Sequence, residues 1–277
     1  MKVWRDYDQA ELDRQYDHRT RIPNAPDLIA RIGALSQECR DALPVRRDLV
    51  YGAHGDERFD LYGEGSDRPV QVFFHGGQWR LLSKEEGAAQ ARLYVGAGAL
   101  FVAAGFSRVD EVGMDRLAGQ AAALVAHVCA AAASWGGDPE QIYVSGHSSG
   151  AHLAAMALEA EPRLRGALLL AGLYDLEPVR LTFRNEWLKL DAAAARRNSP
   201  AAGARQLDGT PVLVAWGSLE SDEFKRQSRA YVASAEARGA RVEASELTGA
   251  NHFDPVFDLC EARTPLARAA LVQMGLG

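Results

Sequence analysis

A serine with the surroundings of a hydrolytic nucleophile lies near the middle of this 277-residue chain. Ser148 stands in Gly146-His147-Ser148-Ser149-Gly150, after the apolar run IYVS and before the helical pattern AHLAAMALEA. A serine of G-x-S-x-G between a strand and a helix is held on a sharp, strained turn, with its hydroxyl clear of the sheet at the positive end of the helix. We therefore predict that Ser148 attacks a carbonyl carbon.

The base that activates this serine should be a histidine from another part of the fold. Of the seven histidines, only His152 and His252 follow Ser148, and folds that present a serine on such a turn place serine, acid and histidine in that order. His152 follows Ser148 by four residues on the same helix, which buries it beside the turn. His252 lies in a loop between the last predicted strand and the C-terminal helix, so we predict that His252 is the base.

The acid that orients the base should follow the strand VLVAWG, where three carboxylates compete. Glu220 lies on the loop, three residues after Gly217. Asp222 resembles a cap for the helix EFKRQSRAYVASAEARG, and Glu223 is expected to begin that helix and face solvent. The order of preference is Glu220, then Asp222, then Glu223.

A loop that could stabilise an oxyanion follows the strand VQVFF. A tetrahedral intermediate needs at least two preorganised N–H donors. Gly76 and Gly77, in His75-Gly76-Gly77-Gln78-Trp79, and Ser149 after the nucleophile are placed to supply them. His75 is expected to steady the loop rather than act as a base.

Aromatic and charged side chains near these motifs are candidates for contact with the substrate. Trp79 is a candidate wall for an aromatic leaving group, and Gln78 lies beside it on the same loop. Trp187 and Phe183 fall where such folds place cap elements. Three cations of the same stretch could meet a substrate carboxylate, although charge there usually faces solvent: Arg180, Arg184 and Lys189.

The elements that position these residues alternate between strand and helix. Predicted strands are Arg58–Tyr62, Val70–Phe74, Leu100–Ala104, Ile142–Ser145, Ala167–Ala171, Val212–Trp216 and Val242–Leu247, and helical patterns cover 83–95, 114–135, 149–160, 222–238 and 256–274. Continuous apolar strands between helices indicate a mostly parallel, doubly wound α/β sheet with helices on both faces. We predict one domain over 1–277, with an N-terminal helical extension at 1–44 and a catalytic core at 45–277.

Composition excludes several classes of protein. The apolar fraction of 47% is too high for a disordered chain, and a net charge of -6 argues against nucleic acid or an anionic membrane as a partner. Cys39, Cys129 and Cys260 form no C-x-x-C motif, and their odd number favours a reducing compartment. The charged N-terminus is unlike a signal peptide, and the apolar run Ala121–Trp135 is shorter than the about 20 residues of a membrane span. A cytoplasmic protein is expected.

No motif for a metal or cofactor is apparent in the chain. His147 and His152 are five residues apart, unlike the i, i+4 histidines of a zinc helix, and no glycine-rich phosphate loop occurs. We therefore expect neither a metal nor a cofactor, and a small molecule as the only ligand.

Taken together, the motifs resemble those of the kynurenine formamidase (arylformamidase) family of α/β-hydrolases. HGGQW resembles that family's HGG-x-W loop, and NHF resembles its histidine segment. GHSSGAHLAA resembles the family's nucleophile elbow, the sharp turn that carries the serine, with Ser149 in place of the usual alanine. GSLESDEFKRQS resembles G-x-x-[DE]-S-P-E-F-x-R-Q-S, with Glu220 at the acid position and Asp222 where proline is common. LDRQYDHRTRIPN is similar to the leader of bacterial members. Gln78 stands where tyrosine is frequent, and GFSRVDEVGMDRL lacks a usual proline-containing segment.

This resemblance implies an α/β-hydrolase fold, a catalytic triad formed by Ser148, Glu220 and His252, and a homodimer. It also implies hydrolysis of an N-formyl arylamine such as N-formylkynurenine. The alternative is a carboxylesterase of short-chain or aryl esters, because one triad serves esters and activated amides alike. A non-catalytic binding protein on this fold would usually have lost part of the triad or the elbow, and here every part is present.

Overall fold

The predicted strands join into one mixed sheet, and the computed structural model describes residues 1–277. In chain order the strands are β1 (Val45–Val50), β2 (Arg58–Tyr62), β3 (Arg68–Phe74), β4 (Leu100–Ala104), β5 (Gly137–His147), β6 (Gly166–Leu170), β7 (Pro211–Gly217) and β8 (Arg241–Leu247). Their order across the sheet is β1-β2-β4-β3-β5-β6-β7-β8. Strands β3 to β8 run parallel, whereas β2 is antiparallel to both of its neighbours. The mostly parallel sheet is therefore observed as predicted.

Successive side chains of each strand point to opposite faces of the sheet and form two apolar layers, one on each face. In β3, Val70, Val72 and Phe74 enter the larger layer and Phe73 enters the smaller one. The helices are α1 (Gln9–Tyr16), α2 (Ala25–Ala42), α3 (Ala91–Gly96), α4 (Val109–Val112), α5 (Met114–Ala131), α6 (Ser149–Ala160), α7 (Leu176–Arg180), α8 (Asn185–Leu188), α9 (Ala192–Arg197), α10 (Asp222–Ala237), α11 (Asp254–Asp258) and α12 (Pro265–Gln273). Helices α5, α6 and α10 cover the first face, and α3 and α12 cover the second.

Two of the predicted helical patterns are each interrupted in the structure, and one strand was missed. The pattern at 83–95 forms a 3₁₀ turn at Glu86–Ala88 followed by α3, and the pattern at 256–274 is divided between α11 and α12. Helix α12 starts anew because Thr264 caps it and Pro265 occupies its first turn. Strand β1 has the sequence VRRDLV and lies at the sheet edge, where its side chains are mostly exposed and carry no apolar signal.

The N-terminal residues 1–44 are packed against the catalytic half of the chain. The Tyr16 hydroxyl donates to Glu223 Oε2 at 3.0 Å and accepts from Gln227 Nε2 at 2.8 Å. Arg184 donates to the Tyr16 carbonyl. These buried contacts hold α1 and the following 3₁₀ turn, His18–Thr20, against α10 and the segment before α8.

One helix has the length and apolar composition of a membrane span. Helix α5 continues through a 3₁₀ turn, so that the helical segment Met114–Trp135 has 22 residues, more than the apolar run within it indicated. Half of its most apolar window is buried inside the protein, and Leu117, Leu124 and Val128 belong to the larger apolar layer. It packs as a core helix of the sheet.

Candidate active site

Ser148 is held in a strained conformation between β5 and α6. Its φ of 56° and ψ of -122° are rarely adopted by a residue with a side chain. The strain persists because the backbone packs closely around the turn. A Cβ atom on Gly150 would lie 2.0 Å from the Phe74 carbonyl oxygen, so only glycine fits where α6 crosses the end of β3.

The loop after β3 brings free N–H groups to this serine. A Cβ on Gly76 would lie 3.4 Å from the Ser148 Cβ, and Gly77 has a φ of 110°. The N–H groups of Gly76 and Gly77 have no hydrogen-bond acceptor, and neither has that of Ser149, the first residue of α6. Ser149 Oγ accepts a hydrogen bond of 3.2 Å from the Trp79 N–H, which ties the loop to the elbow. The arrangement can bind an oxyanion.

His252 and Glu220 face one another beside the same cavity. His252 Nδ1 lies 3.4 Å from Glu220 Oε2, and neither atom has another partner although both are buried. Glu220 Oε1 accepts from the Gly217 N–H at 3.2 Å. Ser148 and His252 border one cavity without a hydrogen bond between them, as is common in unliganded sites. The structure thus brings the predicted nucleophile, base and acid together.

The two alternative acids lie elsewhere, and their expected roles are corrected. Asp222 is the first residue of α10 and not its cap: Ser221 caps the helix through Phe224, while the exposed Asp222 pairs with Lys225 at 3.2 Å. Glu223 does not face solvent. It is 1% exposed because Tyr16 and an arginine of its own helix bind its carboxylate.

Burial sets the protonation of the site. It raises the pKa of Glu220 to about 7 and lowers that of His252 to about 3, with nearby Arg184 adding to the second effect. It also lowers the pKa of His147 to about 3. Both imidazoles are therefore neutral at neutral pH, and His252 must be neutral before it can accept a proton as the general base.

Two histidines that were not assigned to catalysis position the loops. His147 Nε2 lies 2.7 Å from the His252 carbonyl oxygen, which can only accept, so His147 carries its proton there and holds the His252 loop. His75 Nδ1 donates in the same way to the Gly76 carbonyl at 2.7 Å, and its ring stacks on Phe106. The expectation that His75 steadies its loop agrees with these contacts.

The cavity in front of Ser148 has a volume of about 100 Å³ and is largely apolar. Its apolar lining includes Ile29 and Ile32 of α2, so the N-terminal extension forms one wall. Gln90 also borders it. Both polar atoms of the Gln90 side chain are buried and have no partner, which leaves an amide donor and an acceptor available inside the cavity.

The three residues predicted to contact substrate take different positions. Gln78 borders the cavity. Trp79 does not, and this expectation is corrected: it is 1% exposed, and its Nε1 donates to His152 Nδ1 at 3.1 Å inside the core. Gln78 and Trp79 both have positive φ, which turns the tryptophan under α6. Trp187 borders a second cleft that adjoins the cavity through Gln78 and Leu81.

The three cations considered for a substrate carboxylate border neither space. Arg180 is paired with Glu177 at 2.6 Å. Arg184 is 1% exposed and donates to the Tyr16 carbonyl, while Lys189 ends α8 in the left-handed conformation. Sequence reasoning missed a different arginine, Arg80, which borders the second cleft and follows the HGGQW motif directly. No group of three or more His, Cys, Asp or Glu side chains is placed to hold a metal ion.

The chain is similar to proteins of one fold family along most of its length. The family described as alpha/beta hydrolase fold matches residues 71–254. The kynurenine formamidases of Danio rerio and Salmo salar are each 32% identical, over 99% of this chain and 99% of the relative. The isoprenylcysteine alpha-carbonyl methylesterase ICME of Arabidopsis thaliana is 25% identical over 76% of this chain and 57% of its own length.

Solved structures share the architecture. A crystal structure from Silicibacter sp. tm1040 superposes with a TM-score of 0.83 at 28% identity, covering 93% of this chain and 98% of that one. The Pyrobaculum calidifontis esterase superposes with a TM-score of 0.75 at 20% identity, covering 97% of each chain. The second likeness concerns the fold alone.

Proposed function

The chain belongs to the α/β-hydrolase fold family and, within it, to the kynurenine formamidase family, and on this premise we propose that its substrate is an N-formyl arylamine such as N-formylkynurenine. The prediction of an α/β-hydrolase is confirmed, and the protein is a hydrolase. One observation carries the substrate class. The similarity to the formamidases extends over the N-terminal residues, and these form a wall of the cavity through Ile29 and Ile32.

The proposed reaction begins with acylation of the serine. Ser148 Oγ attacks the formyl carbon while His252 Nε2 accepts its proton. The N–H groups of Gly76, Gly77 and Ser149 hold the oxyanion of the tetrahedral intermediate. Glu220, ionised, stabilises the imidazolium that forms, and the attraction is strong because both side chains are buried.

Collapse of the intermediate releases the amine. His252 returns its proton to the aryl nitrogen, which leaves as the neutral arylamine because an unprotonated anilide is a poor leaving group. The C–N bond breaks and a formyl ester remains on Ser148. Water, deprotonated by His252, attacks this ester. As the second intermediate collapses, the Oγ–C bond breaks, His252 returns the proton to Ser148 Oγ, and formate is released.

A side-by-side assay tests the proposal. Purified protein is given N-formyl-L-kynurenine and p-nitrophenyl acetate, with Ser148→Ala as the blank. We expect kcat/KM for the formamide of ~10⁴ M⁻¹s⁻¹ or more, the range of true substrates. We also expect a fluorophosphonate probe to label the wild type and not Ser148→Ala.

Turnover of the activated ester alone would contradict the formamide proposal and favour the carboxylesterase alternative with the same residues. An unlabelled wild type would contradict Ser148 as the nucleophile. The methylesterase of Arabidopsis thaliana is a relative that favours the ester alternative, and its similarity covers less of both chains.

We propose further that the protein acts in the cytoplasm as a homodimer. All three cysteines are free thiols, which suits a reducing compartment. The dimer rests on the resemblance to the family alone. Cell fractionation and light scattering test the two statements, and a monomer in solution would contradict the second.

A further inference from the structure

A second cleft opens beside the cavity of Ser148 and carries positively charged side chains, which the cavity lacks. Gln78 and Leu81 border both spaces, so a ligand can extend from one into the other. The cavity of Ser148 is bordered by no lysine or arginine. The cleft is bordered by Asp17, Arg19 and Arg80. A substrate with an anionic end could therefore satisfy its charge only by reaching the cleft.

Arg80 is the one cation of the cleft without a partner. Its guanidinium forms no hydrogen bond and no ion pair; Nε is buried with nothing to donate to, while the Nη atoms remain open to solvent. The guanidinium carbon lies 4.9 Å from the ring centroid of Trp187, a cation–π contact that holds the side chain in place. An unpaired arginine held against an aromatic ring is preorganised for a carboxylate.

The other charges near the cleft compensate one another. Arg19 binds Asp17 through two hydrogen bonds of 2.8 and 2.9 Å. Asp110 is close enough for Arg80 to lower its pKa, but Arg108 already holds both of its oxygens at 3.2 and 2.7 Å. The net positive charge of the cleft therefore resides on Arg80.

The backbone couples Arg80 to the oxyanion loop. The Arg80 N–H donates to the Gly77 carbonyl at 3.1 Å, which closes a turn of four residues from Gly77 to Arg80. The group that would bind the anionic end of a substrate is therefore placed by the same turn that presents an oxyanion donor. A substrate bound at Arg80 would therefore be held at a fixed position relative to the N–H groups beside Ser148.

We propose that Arg80 binds the carboxylate of the substrate's side chain, so that the enzyme selects aryl formamides bearing a carboxylate over uncharged ones. The proposal rests on the formamidase function given above. N-formylkynurenine fits it, since its formamide and its α-amino carboxylate lie at opposite ends of the molecule. Trp187 contributes by positioning the guanidinium rather than by lining the cavity of Ser148.

The experiment compares two formamides that differ only in charge: N-formyl-L-kynurenine and the same compound with a carboxamide in place of the carboxylate. The quantity measured is the ratio of kcat/KM for the acid to kcat/KM for the amide. We expect Arg80→Gln to lower this ratio by about 10- to 100-fold, mainly through a higher KM for the acid, which is the range for loss of a charge-assisted hydrogen bond.

Two further variants make the result specific. Arg80→Lys keeps the positive charge but lacks the planar set of N–H donors of the guanidinium. Its ratio should therefore lie between those of the wild type and Arg80→Gln. Arg229→Gln removes an exposed arginine that pairs with Glu246 on α10 and β8, and it should leave the ratio as in the wild type. Melting temperatures show whether each variant is folded.

The outcomes separate the two proposals. If the wild type hydrolyses both formamides and Arg80→Gln leaves the ratio unchanged, the formamidase function stands and the role of Arg80 is overturned. Equal kcat/KM values of the wild type for acid and amide would overturn it as well. If the wild type hydrolyses neither compound, the formamidase function fails, and the role of Arg80 fails with it.

Discussion

The imidazole of His18 lies flat against that of His252, with ring centroids 3.8 Å apart and an angle of 20° between their planes. His18 comes from the short turn after α1 and borders the cavity of Ser148. It lies outside residues 71–254, the part of the chain that matches the alpha/beta hydrolase family. Burial and the neighbouring His252 keep the pKa of His18 well below its usual range. A neutral ring on one face of His252 restricts its rotation without repelling the proton that it gains during the reaction.

We predict that His18 acts as a positioning residue. His18→Ala should lower kcat for the formamide by about three- to tenfold, since an aromatic contact contributes about 0.5–1.5 kcal/mol. His18→Phe keeps a flat ring and should retain most of the activity. Both are measured by steady-state kinetics, with His127→Ala, on α5, as the control. Equal losses in the alanine and phenylalanine variants would contradict a role through stacking.

The identity of the acid can be tested by two amide substitutions. Glu220→Gln should lower kcat/KM by about 10³- to 10⁴-fold, because the amide can no longer stabilise the imidazolium of His252. Asp222→Asn should stay within about twofold of the wild type, because that carboxylate is exposed on α10 and pairs with Lys225. A large loss in the Asp222 variant with little effect at Glu220 would reverse the assignment.

The pKa of Glu220 predicts an acid limb in the activity. A pKa raised to about 7 means that Glu220 loses its charge as pH falls through neutrality, while His252, lowered to about 3, stays neutral. The pair should therefore give kcat/KM an apparent pKa near 7, with activity high above it and falling below it. Glu220→Gln should abolish this limb. Full activity down to about pH 5 in the wild type would show that Glu220 stays ionised there.

The elbow should not tolerate a methyl group at Gly150. Gly150→Ala would place a Cβ 2.0 Å from the Phe74 carbonyl oxygen and should lower the free energy of unfolding by about 3 kcal/mol or more. Gly119→Ala is the matched control. Its Cβ would meet nothing within 4 Å on the exposed side of α5, so it should raise that free energy by about 0.5–1 kcal/mol. Equal melting temperatures for the two variants would contradict the packing argument.

Gln90 is predicted to lower the stability of the protein and to contribute to its activity. Its side-chain amide is buried without a partner, and each unsatisfied group costs about 1–3 kcal/mol. Gln90→Leu, similar in volume, should therefore raise the free energy of unfolding while lowering kcat/KM for the formamide. Chemical denaturation and the formamide assay measure the two effects. A less stable leucine variant would show that water satisfies the amide in the native protein.

Much of the fold and the site follows from residues that are close together in the chain. Six of the seven predicted strands lie within strands of the structure or match their bounds, and Ala167–Ala171 exceeds β6 by one residue. The central strands were predictable because continuous apolar runs have few alternatives to a covered sheet. Strand β1 was missed because an edge strand needs no apolar face. The helix capped by Ser221 was located to within one residue, but the cap was misassigned, since Ser221 and Asp222 are both good caps.

The sequence by itself determined where the chain turns sharply: the elbow at Ser148 and the loop at Gly76 and Gly77 depend on steric limits that act over a few residues. Only the tertiary structure decided which distant side chains meet there. Trp79 turned into the core, and Arg80 was left unpaired beside the cavity. Such contacts depend on how whole helices pack on the sheet, and the spacing of residues along one segment carries no information about the side chains that another segment brings to it.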